Sequence, residues 1–86
     1  WHLTCTAKMG SENDPMAVVS PNGKVYGIEN LRIADASVMP QVTNGNTNCP
    51  TLMIAEKMSD AILGNPPLPR NEATVWQNPD WETAQR

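Results

Sequence analysis

One run, from Leu31 to Gly64, restricts the fold of this chain more than any other part of its sequence. The largely apolar residues 31–34 lead to Asp35 and predict a short strand that ends in an acid. Residues 41–49 are mostly Gln, Asn, Thr and Gly, a composition that predicts a loop. Residues 50–63 then predict a helix. A strand end, a polar loop and a helix start are features with which proteins present oxygen and amide groups to a bound nucleotide.

The helix predicted over residues 50–63 has recognisable ends and one apolar face. Pro50 suits the first turn, where a missing N–H costs nothing, and Thr47 or Asn48 is expected to cap the helix. Gly64 is expected to terminate it. The predicted packed face repeats with helical spacing. It comprises Ile54, Met58, Ala61 and Ile62.

A β-hairpin is predicted upstream of this run. Short stretches at 17–19 and 24–26 flank Ser20–Gly23, and Asn22 and Gly23 both tolerate the positive φ of tight hairpin turns. Residues 1–10 are expected to be extended or loop-like. Beyond Gly64 the chain becomes rich in Pro and Asn, which predicts an extended tail over residues 65–86.

The composition favours a segment that packs against something larger. Eight Pro and five Gly divide 86 residues into short apolar blocks, so the chain has little core of its own. Trp76 and Trp81 are isolated among polar residues and are expected to dock the tail onto another surface. The sequence begins at Trp1 without an initiator methionine or signal peptide, which suggests a chain cut from a longer polypeptide.

Charge and cysteine content exclude several classes of protein. The net charge of −3 comes without a basic patch, which argues against a nucleic-acid partner. No apolar run approaches the roughly 20 residues needed to span a bilayer. Cys5 and Cys49 lack the spacing of a zinc site, so no metal site is predicted. They are expected to be buried thiols; the alternative is a disulfide, which requires their Cα atoms to lie within about 7 Å.

Two stretches resemble one enzyme family. The opening WHLTCTAKMG resembles the catalytic-histidine segment of the glucose–methanol–choline (GMC) flavoprotein oxidoreductases, usually His-x-x-Gly-Thr-x-x-Met-Gly. The run from Leu31 to Gly64 resembles the C-terminal signature of the same family. Cys5 stands where the family usually has Gly, and Ser20 replaces a frequent Asp. The family's Gly-x-Gly-x-x-Gly unit is not in this sequence, so the chain alone is not expected to hold FAD.

The resemblance implies roles for two residues whose type alone leaves them ambiguous. A lone His near a terminus is ordinarily a surface or packed residue, but the resemblance makes His2 the catalytic base. Imidazole suits that role because its unperturbed pKa is near 6.5. Asn46 is by type an ordinary turn residue. The resemblance makes it the hydrogen-bonding partner of the substrate oxygen. Since an amide cannot take a proton at neutral pH, Asn46 is expected to orient and polarise the substrate while His2 alone acts as the base.

The resemblance also implies four contacts to FAD. Asp35 and Ala36 are assigned to the ribityl–pyrophosphate part, where the small Ala36 permits a close approach of its backbone N–H to a phosphate. By pattern alone Asp35 is equally a solvated acid at a strand end. Thr47 and Asn48 begin a helix whose unpaired N–H groups carry roughly half a positive charge. Their amides are expected to lie against the N1–C2=O edge of the flavin and to stabilise its reduced anion.

The predicted fold class is α+β: a C-terminal fragment of a GMC-type flavoprotein with a hairpin, a strand of the FAD domain, one main helix and an extended tail. Residues 1–30 are assigned to the substrate and catalytic region, residues 31–64 to the FAD domain, and residues 65–86 to the tail. The expected partners are the remaining N-terminal portion of the enzyme, as a separate chain, and a small alcohol. The predicted reaction is hydride transfer from the alcohol to flavin N5. The alternatives are a lyase, cyclase or decarboxylase that retains FAD, and a non-catalytic fragment or interaction segment.

Overall fold

The structure, a computed structural model, describes residues 1–83. Its regular elements within that range are a 3-10 helix over Ala36–Val38 and one α-helix, α1, over Asn48–Leu63. The other pairing is by isolated β-bridges, which join Met9 to Val19, Val19 to Val25, and Lys24 to Arg32. The chain is therefore a small unit with one main helix and little strand, in outline what the sequence predicts.

The predicted hairpin forms, but its turn differs from the one that an Asn-Gly pair suggests. The Gly23 N–H donates to the Ser20 carbonyl at 2.8 Å, which places Pro21 and Asn22 at the two central positions. Proline fixes its own φ at about −65°, so Pro21 cannot have a positive φ. Asn22 does not have one either, and among the four turn residues only Gly23 does, with a φ of 74°. The Ser20 N–H donates to the Lys24 carbonyl at 2.8 Å and closes the hairpin.

The strand predicted over residues 31–34 is reduced to one bridge, so the prediction of a regular strand was wrong for residues 1–83. Arg32 pairs with Lys24, and the Ile33 N–H donates to the Gly23 carbonyl at 2.9 Å. This segment has a neighbour on its hairpin side, and Leu31 remains 45% exposed. A strand with a neighbour on one side has no strand partner for the N–H and C=O groups that point to the other side.

The helix α1 begins two residues before the predicted start and ends as predicted. Gly64 has a φ of 72° and donates its N–H to the Asp60 carbonyl. Met58 is 2% exposed, and Ile54 is half-buried. The prediction was wrong for Ala61 and Ile62, which are exposed, because the last turn of α1 extends beyond the region covered by the rest of the chain.

The core within residues 1–83 lies where the hairpin, the 3-10 helix and α1 meet. Its buried apolar side chains are Val19, Val38, Met39 and Met58. Fifteen large apolar side chains of the same residues are exposed, Trp1 and Leu3 among them. The radius of gyration is 16.2 Å, against about 12 Å for a compact chain of this length. The chain therefore leaves most of its large apolar side chains outside its own core.

The tail lies apart from this core. Residues 65–83 are exposed throughout, and residues 65–78 have no regular structure. Trp76 is 80% exposed and Trp81 is 59% exposed, so neither indole packs into the core of this chain. Their docking onto another surface stays a prediction, and residues 84–86 of the predicted tail lie outside the described residues.

Candidate functional site

The structure brings the two motif segments side by side. The N–H groups of Cys5, Ala7 and Met9 donate to three successive carbonyls, those of Ala36, Ser37 and Val38, at 3.3, 2.9 and 2.9 Å. Alternate residues of an extended segment thus face each residue of the 3-10 helix. The segment that follows His2 is fixed against the segment that begins at Asp35.

Asp35 caps the 3-10 helix. Its Oδ1 accepts the Ser37 N–H at 2.8 Å. The Ser37 hydroxyl, and then the Ser37 N–H, hold the pKa of Asp35 below its ordinary value of 3.8, because both stabilise the carboxylate. The carboxylate is exposed, so it can also accept a hydrogen bond from a hydroxyl group outside this chain.

The N–H of Ala36 is the open donor of this turn. The Val38 and Met39 N–H groups donate to the carbonyls of Asp35 and Ala36, both at 3.3 Å, and the Ser37 N–H binds Asp35. The Ala36 N–H has no acceptor among the described residues. The unpaired amide lies beside a small side chain, so an oxygen acceptor from outside this chain can approach it closely.

The start of α1 is capped by Asn46 and not by the predicted Thr47 or Asn48 side chains. Asn46 Oδ1 accepts the Asn48 N–H at 2.9 Å, whereas Thr47 makes no side-chain capping bond within residues 1–83. The Asn48 amide is therefore occupied. The N–H groups of Thr47 and Cys49 remain without an acceptor in the described part of the chain, and they are the donors that the helix start offers.

The carboxamide of Asn46 is oriented by this cap. Because its oxygen binds the helix, its Nδ2 group is left to donate hydrogen bonds elsewhere. Thr51 reinforces the same turn, since its hydroxyl and its N–H both donate to the Thr47 carbonyl, at 2.7 and 3.0 Å. The sequence did not single out Thr51, although a Thr four residues after a capping position has this option.

His2 lies on an exposed end of the chain. Trp1, His2 and Leu3 are all exposed, and no hydrogen bond joins His2 to Asn46 or to any other residue described. The imidazole is thus open to a substrate or to a neighbouring surface. The predicted pairing of His2 with Asn46 stays a prediction.

Cys5 has the left-handed backbone conformation that its place in the motif suggests. Its φ is 68°, a value at which glycine is favoured. Its Sγ lies 3.1 Å from the Thr4 hydroxyl. Cys5 is half-buried and Cys49 is exposed, and both are free thiols, so the predicted burial of Cys49 was wrong. Cys49 lies in the first turn of α1, next to exposed loop residues, which explains its exposure.

Two further contacts hold the segment after His2 in place, and sequence reasoning missed both. The Tyr26 hydroxyl donates to the Gly10 carbonyl at 2.9 Å, which ties the hairpin to this segment. Lys8 Nζ lies 2.8 Å from Asp14 Oδ2. A hydrogen bond from Lys8, and then one from the Met16 N–H, lower the pKa of Asp14. Neither pair has a spacing in sequence that would reveal it.

The predicted site residues line neither of two clefts in the described chain. One cleft, of about 870 Å³, lies between the hairpin exit and Ile62; the other, of about 640 Å³, lies between the hairpin turn and α1. Within residues 1–83 no group of His, Cys, Asp and Glu side chains is arranged to hold a metal ion, and no helix there is long and apolar enough to cross a bilayer. The candidate site is thus an open edge and not an enclosed pocket.

Comparison with known proteins gives one consistent family. Residues 1–55 match a family model described as GMC oxidoreductase. Over all 86 residues the chain is 55% identical to a protein of Photobacterium profundum named oxygen-dependent choline dehydrogenase. It is 50% identical to a protein of the same name from Brucella ovis. The chain spans 15% and 16% of the lengths of those two relatives.

A solved structure shares the fold. The crystal structure of pyridoxine 4-oxidase from Mesorbium loti matches 74% of this chain with a TM-score of 0.68 and 36% sequence identity. The match covers 12% of that protein's chain. The similarity therefore concerns a small region of a much longer enzyme.

Proposed function

Since this chain belongs to the GMC oxidoreductase family, we propose that it forms the C-terminal part of an FAD-dependent enzyme that oxidises an alcohol. The supporting observation is the set of three hydrogen bonds that hold the segment after His2 against Ala36–Val38. The upstream remainder of the polypeptide would supply the dinucleotide-binding unit that this sequence lacks. Residues 1–30 would then complete the substrate region, and residues 31–64 the FAD domain.

The backbone of this chain fits the cofactor assigned to it. The unpaired Ala36 N–H offers a donor to a phosphate or ribityl oxygen, and the exposed carboxylate of Asp35 would accept a hydrogen bond from a ribityl hydroxyl. At the start of α1 the open donors are the N–H groups of Thr47 and Cys49, backed by the helix dipole. Asn48 would contribute through its side chain, because Asn46 occupies its amide. When bound, FAD supplies the hydride acceptor.

His2 would hold and move the proton of the reaction. An unprotonated imidazole nitrogen accepts the hydroxyl proton of the alcohol, which raises the tendency of the resulting alkoxide to release hydride from its carbon. The open position of His2 suits this role, since no described residue occupies its ring nitrogens.

Asn46 would bind the same oxygen from the other side. Its Oδ1 is committed to the Asn48 N–H, so the group that it presents is the Nδ2 donor. A donor stabilises the negative charge that develops on the alcohol oxygen as His2 removes the proton. The carboxamide therefore polarises the substrate, and the imidazole acts as the base.

Choline is the alcohol that we propose as the substrate to test first. The relatives at 55% and 50% identity are named for choline, whereas the pyridoxine enzyme is 36% identical. The walls of the substrate pocket lie mostly in the upstream polypeptide.

The test is anaerobic mixing of the full-length enzyme with choline, and separately with pyridoxine, while the flavin absorbance is recorded. We expect choline to bleach the flavin and pyridoxine to leave it oxidised. Turnover of a substrate with the flavin oxidised throughout would indicate the lyase, cyclase or decarboxylase alternative. A full-length protein that purifies without flavin and does not take up FAD would overturn the proposal.

A further inference from the structure

We propose that Thr51 is a positioning residue that acts through Asn46. Its hydroxyl group strengthens the Nδ2 donor of the Asn46 carboxamide through two hydrogen bonds and the peptide group between them. The inference rests on the proposed function only in naming the substrate oxygen as the acceptor of that donor. It gives a role to a side chain that neither the substrate nor the cofactor assignment uses.

The first hydrogen bond joins Thr51 to Thr47. The Thr51 hydroxyl donates to the Thr47 carbonyl at 2.7 Å, and the Thr51 N–H donates to the same oxygen at 3.0 Å. Two donors on one carbonyl draw electron density toward its oxygen. The N–H of that peptide group belongs to Asn48, and it becomes a stronger donor because hydrogen bonds in series polarise one another.

The second hydrogen bond passes this polarisation to Asn46. The Asn48 N–H donates to Asn46 Oδ1 at 2.9 Å. Electron density drawn toward Oδ1 is withdrawn from Nδ2, because the oxygen and nitrogen of an amide are conjugated. The Nδ2 hydrogens therefore become more positive, and they stabilise a developing negative charge more than they stabilise a neutral oxygen.

The position of Thr51 at the helix start separates it from an ordinary helical hydroxyl. Ser and Thr hydroxyls often donate to the carbonyl four residues earlier, as Ser59 does to Ala55 at 2.9 Å. Inside a helix, the peptide group that receives such a bond has its N–H paired with another backbone carbonyl. The Asn48 N–H is one of the first in α1, has no such partner and binds Asn46 instead. Within α1 it is therefore Thr51, and not Ser59, that acts on the carboxamide.

The two hydroxyl groups also differ in their exposure to water. Thr51 is half-buried, whereas Ser59 is exposed. Water competes less for a hydrogen bond that is partly shielded from it, so the bond from Thr51 polarises its acceptor more. Ser59 therefore gives a control in which the same kind of bond lies in the same helix without a path to the site.

The first experiment measures the rate at which choline bleaches the flavin of the full-length enzyme in a single turnover without oxygen. Thr51→Val removes the hydroxyl and keeps the branched shape, whereas Thr51→Ser keeps the hydroxyl. Ser59→Ala removes the control bond. We expect Thr51→Val to slow bleaching about 3- to 10-fold, and the other two variants to stay within about twofold of the natural enzyme. Thr51→Ala gives the same comparison if Thr51→Val fails to fold.

A second comparison repeats Thr51→Val in the Asn46→Ala enzyme, which lacks the whole carboxamide. We expect no further slowing there, because a residue that acts through another has no effect once the other is removed. A merely structural role of Thr51 would slow both enzymes by the same factor. That result, or a slowing by Ser59→Ala as large as that by Thr51→Val, would overturn the inference.

A third measurement needs no turnover. The full-length enzyme is labelled with ¹⁵N-asparagine, and the Asn46 side-chain resonance is the one that Asn46→Ala removes from the NMR spectrum. We expect Thr51→Val to move its Nδ2 proton resonances upfield, because the donor is less polarised, and Ser59→Ala to leave them in place. Resonances that Thr51→Val does not move would overturn the inference.

This measurement separates the inference from the proposed function. The upfield shift in an enzyme that no alcohol bleaches would support the action of Thr51 on Asn46 and reject the oxidation. Unmoved resonances in an enzyme that choline bleaches normally would do the reverse.

Discussion

Among single residues, Asn46 is central because the proposed function gives the two ends of its carboxamide different tasks. The oxygen caps α1 through the Asn48 N–H at 2.9 Å, and the nitrogen is the group that we propose to bind the substrate. A change at this position is therefore expected to affect helix stability and catalysis together, unless the replacement keeps the oxygen.

Asn46→Asp and Asn46→Ala separate these two tasks in the full-length enzyme. Aspartate keeps the capping oxygen, so we expect its thermal stability to be unchanged, while flavin reduction slows because the Nδ2 donor is lost and a negative charge is added. Alanine removes both groups and is expected to cost about 1 kcal/mol of stability in addition. Reduction rates and melting temperatures of the pair are the measurements; an aspartate variant as fast as the natural enzyme would contradict the donor role.

Cys5 gives a second prediction for a single residue. Its φ of 68° is unfavourable for any residue with a Cβ atom. We expect Cys5→Gly to leave the full-length enzyme equally stable or to stabilise it by up to about 1 kcal/mol, since relief of strain is partly offset by the backbone entropy of glycine. Cys5→Ala, which keeps the Cβ atom, is the control and should give no gain. A loss of more than about 1 kcal/mol in Cys5→Gly would show that the thiol and not the backbone determines this site.

Among the elements, the hairpin turn depends on a glycine that packs against two neighbours. A Cβ atom at Gly23 would lie 2.8 Å from the Ile33 carbonyl oxygen and 2.8 Å from Met58 Sδ, and the φ there is 74°. We expect Gly23→Ala to destabilise the full-length enzyme by about 2–4 kcal/mol, because backbone strain and overpacking add.

Gly27→Ala is the matched control for that change. Gly27 has a φ of 77°, and a Cβ atom there meets nothing within 4 Å in the described chain. Its cost should be about 1–2 kcal/mol, the backbone contribution alone. Equal losses in the two variants, measured by denaturant unfolding, would show that the contact between the hairpin and α1 adds nothing.

The 3-10 helix gives a prediction about pH. Because hydrogen bonds lower the pKa of Asp35 in the folded state, its charge stabilises the enzyme fully above the ordinary value of 3.8 and is lost as the pH falls through the folded pKa. Asp35→Asn keeps a capping oxygen but does not titrate. The difference in melting temperature between the natural enzyme and this variant should be constant from about pH 6 to 4 and should shrink below that range. A difference that stays constant at lower pH would contradict the lowered pKa.

Local chemistry explains which elements could be predicted from sequence. Gly64 and the apolar spacing around Met58 are properties of the chain itself, and α1 forms where they indicate. The strand over residues 31–34 pairs within the described residues only with the hairpin, through the bridge between Arg32 and Lys24, so a regular strand did not form although the sequence pattern predicts one. At the candidate site the motifs single out two segments that the structure holds side by side, and the roles of their residues stay predictions. They did not reveal the cap by Asn46, which competes with the predicted caps through a side chain that any turn Asn has.

In the whole molecule, the number of exposed apolar side chains indicates that this chain packs against a larger fold. Trp1, Trp76 and Trp81 are 109%, 80% and 59% exposed. We expect the 86-residue chain alone to show the fluorescence of solvent-exposed indoles, with no cooperative change on addition of urea, since it buries too little surface to fold independently. The full-length enzyme should show a blue-shifted emission and one or more cooperative transitions. A cooperative unfolding transition of the isolated chain would contradict this.

The most direct measurement is the rate of flavin reduction by choline in a single turnover without oxygen, compared between the natural full-length enzyme and its His2→Ala variant. A positioned base contributes about 10²-fold or more. We therefore expect rapid bleaching in the natural enzyme and bleaching at least about 100-fold slower in the variant, with the FAD content of the two proteins equal. A difference of less than about threefold would show that His2 is not the base.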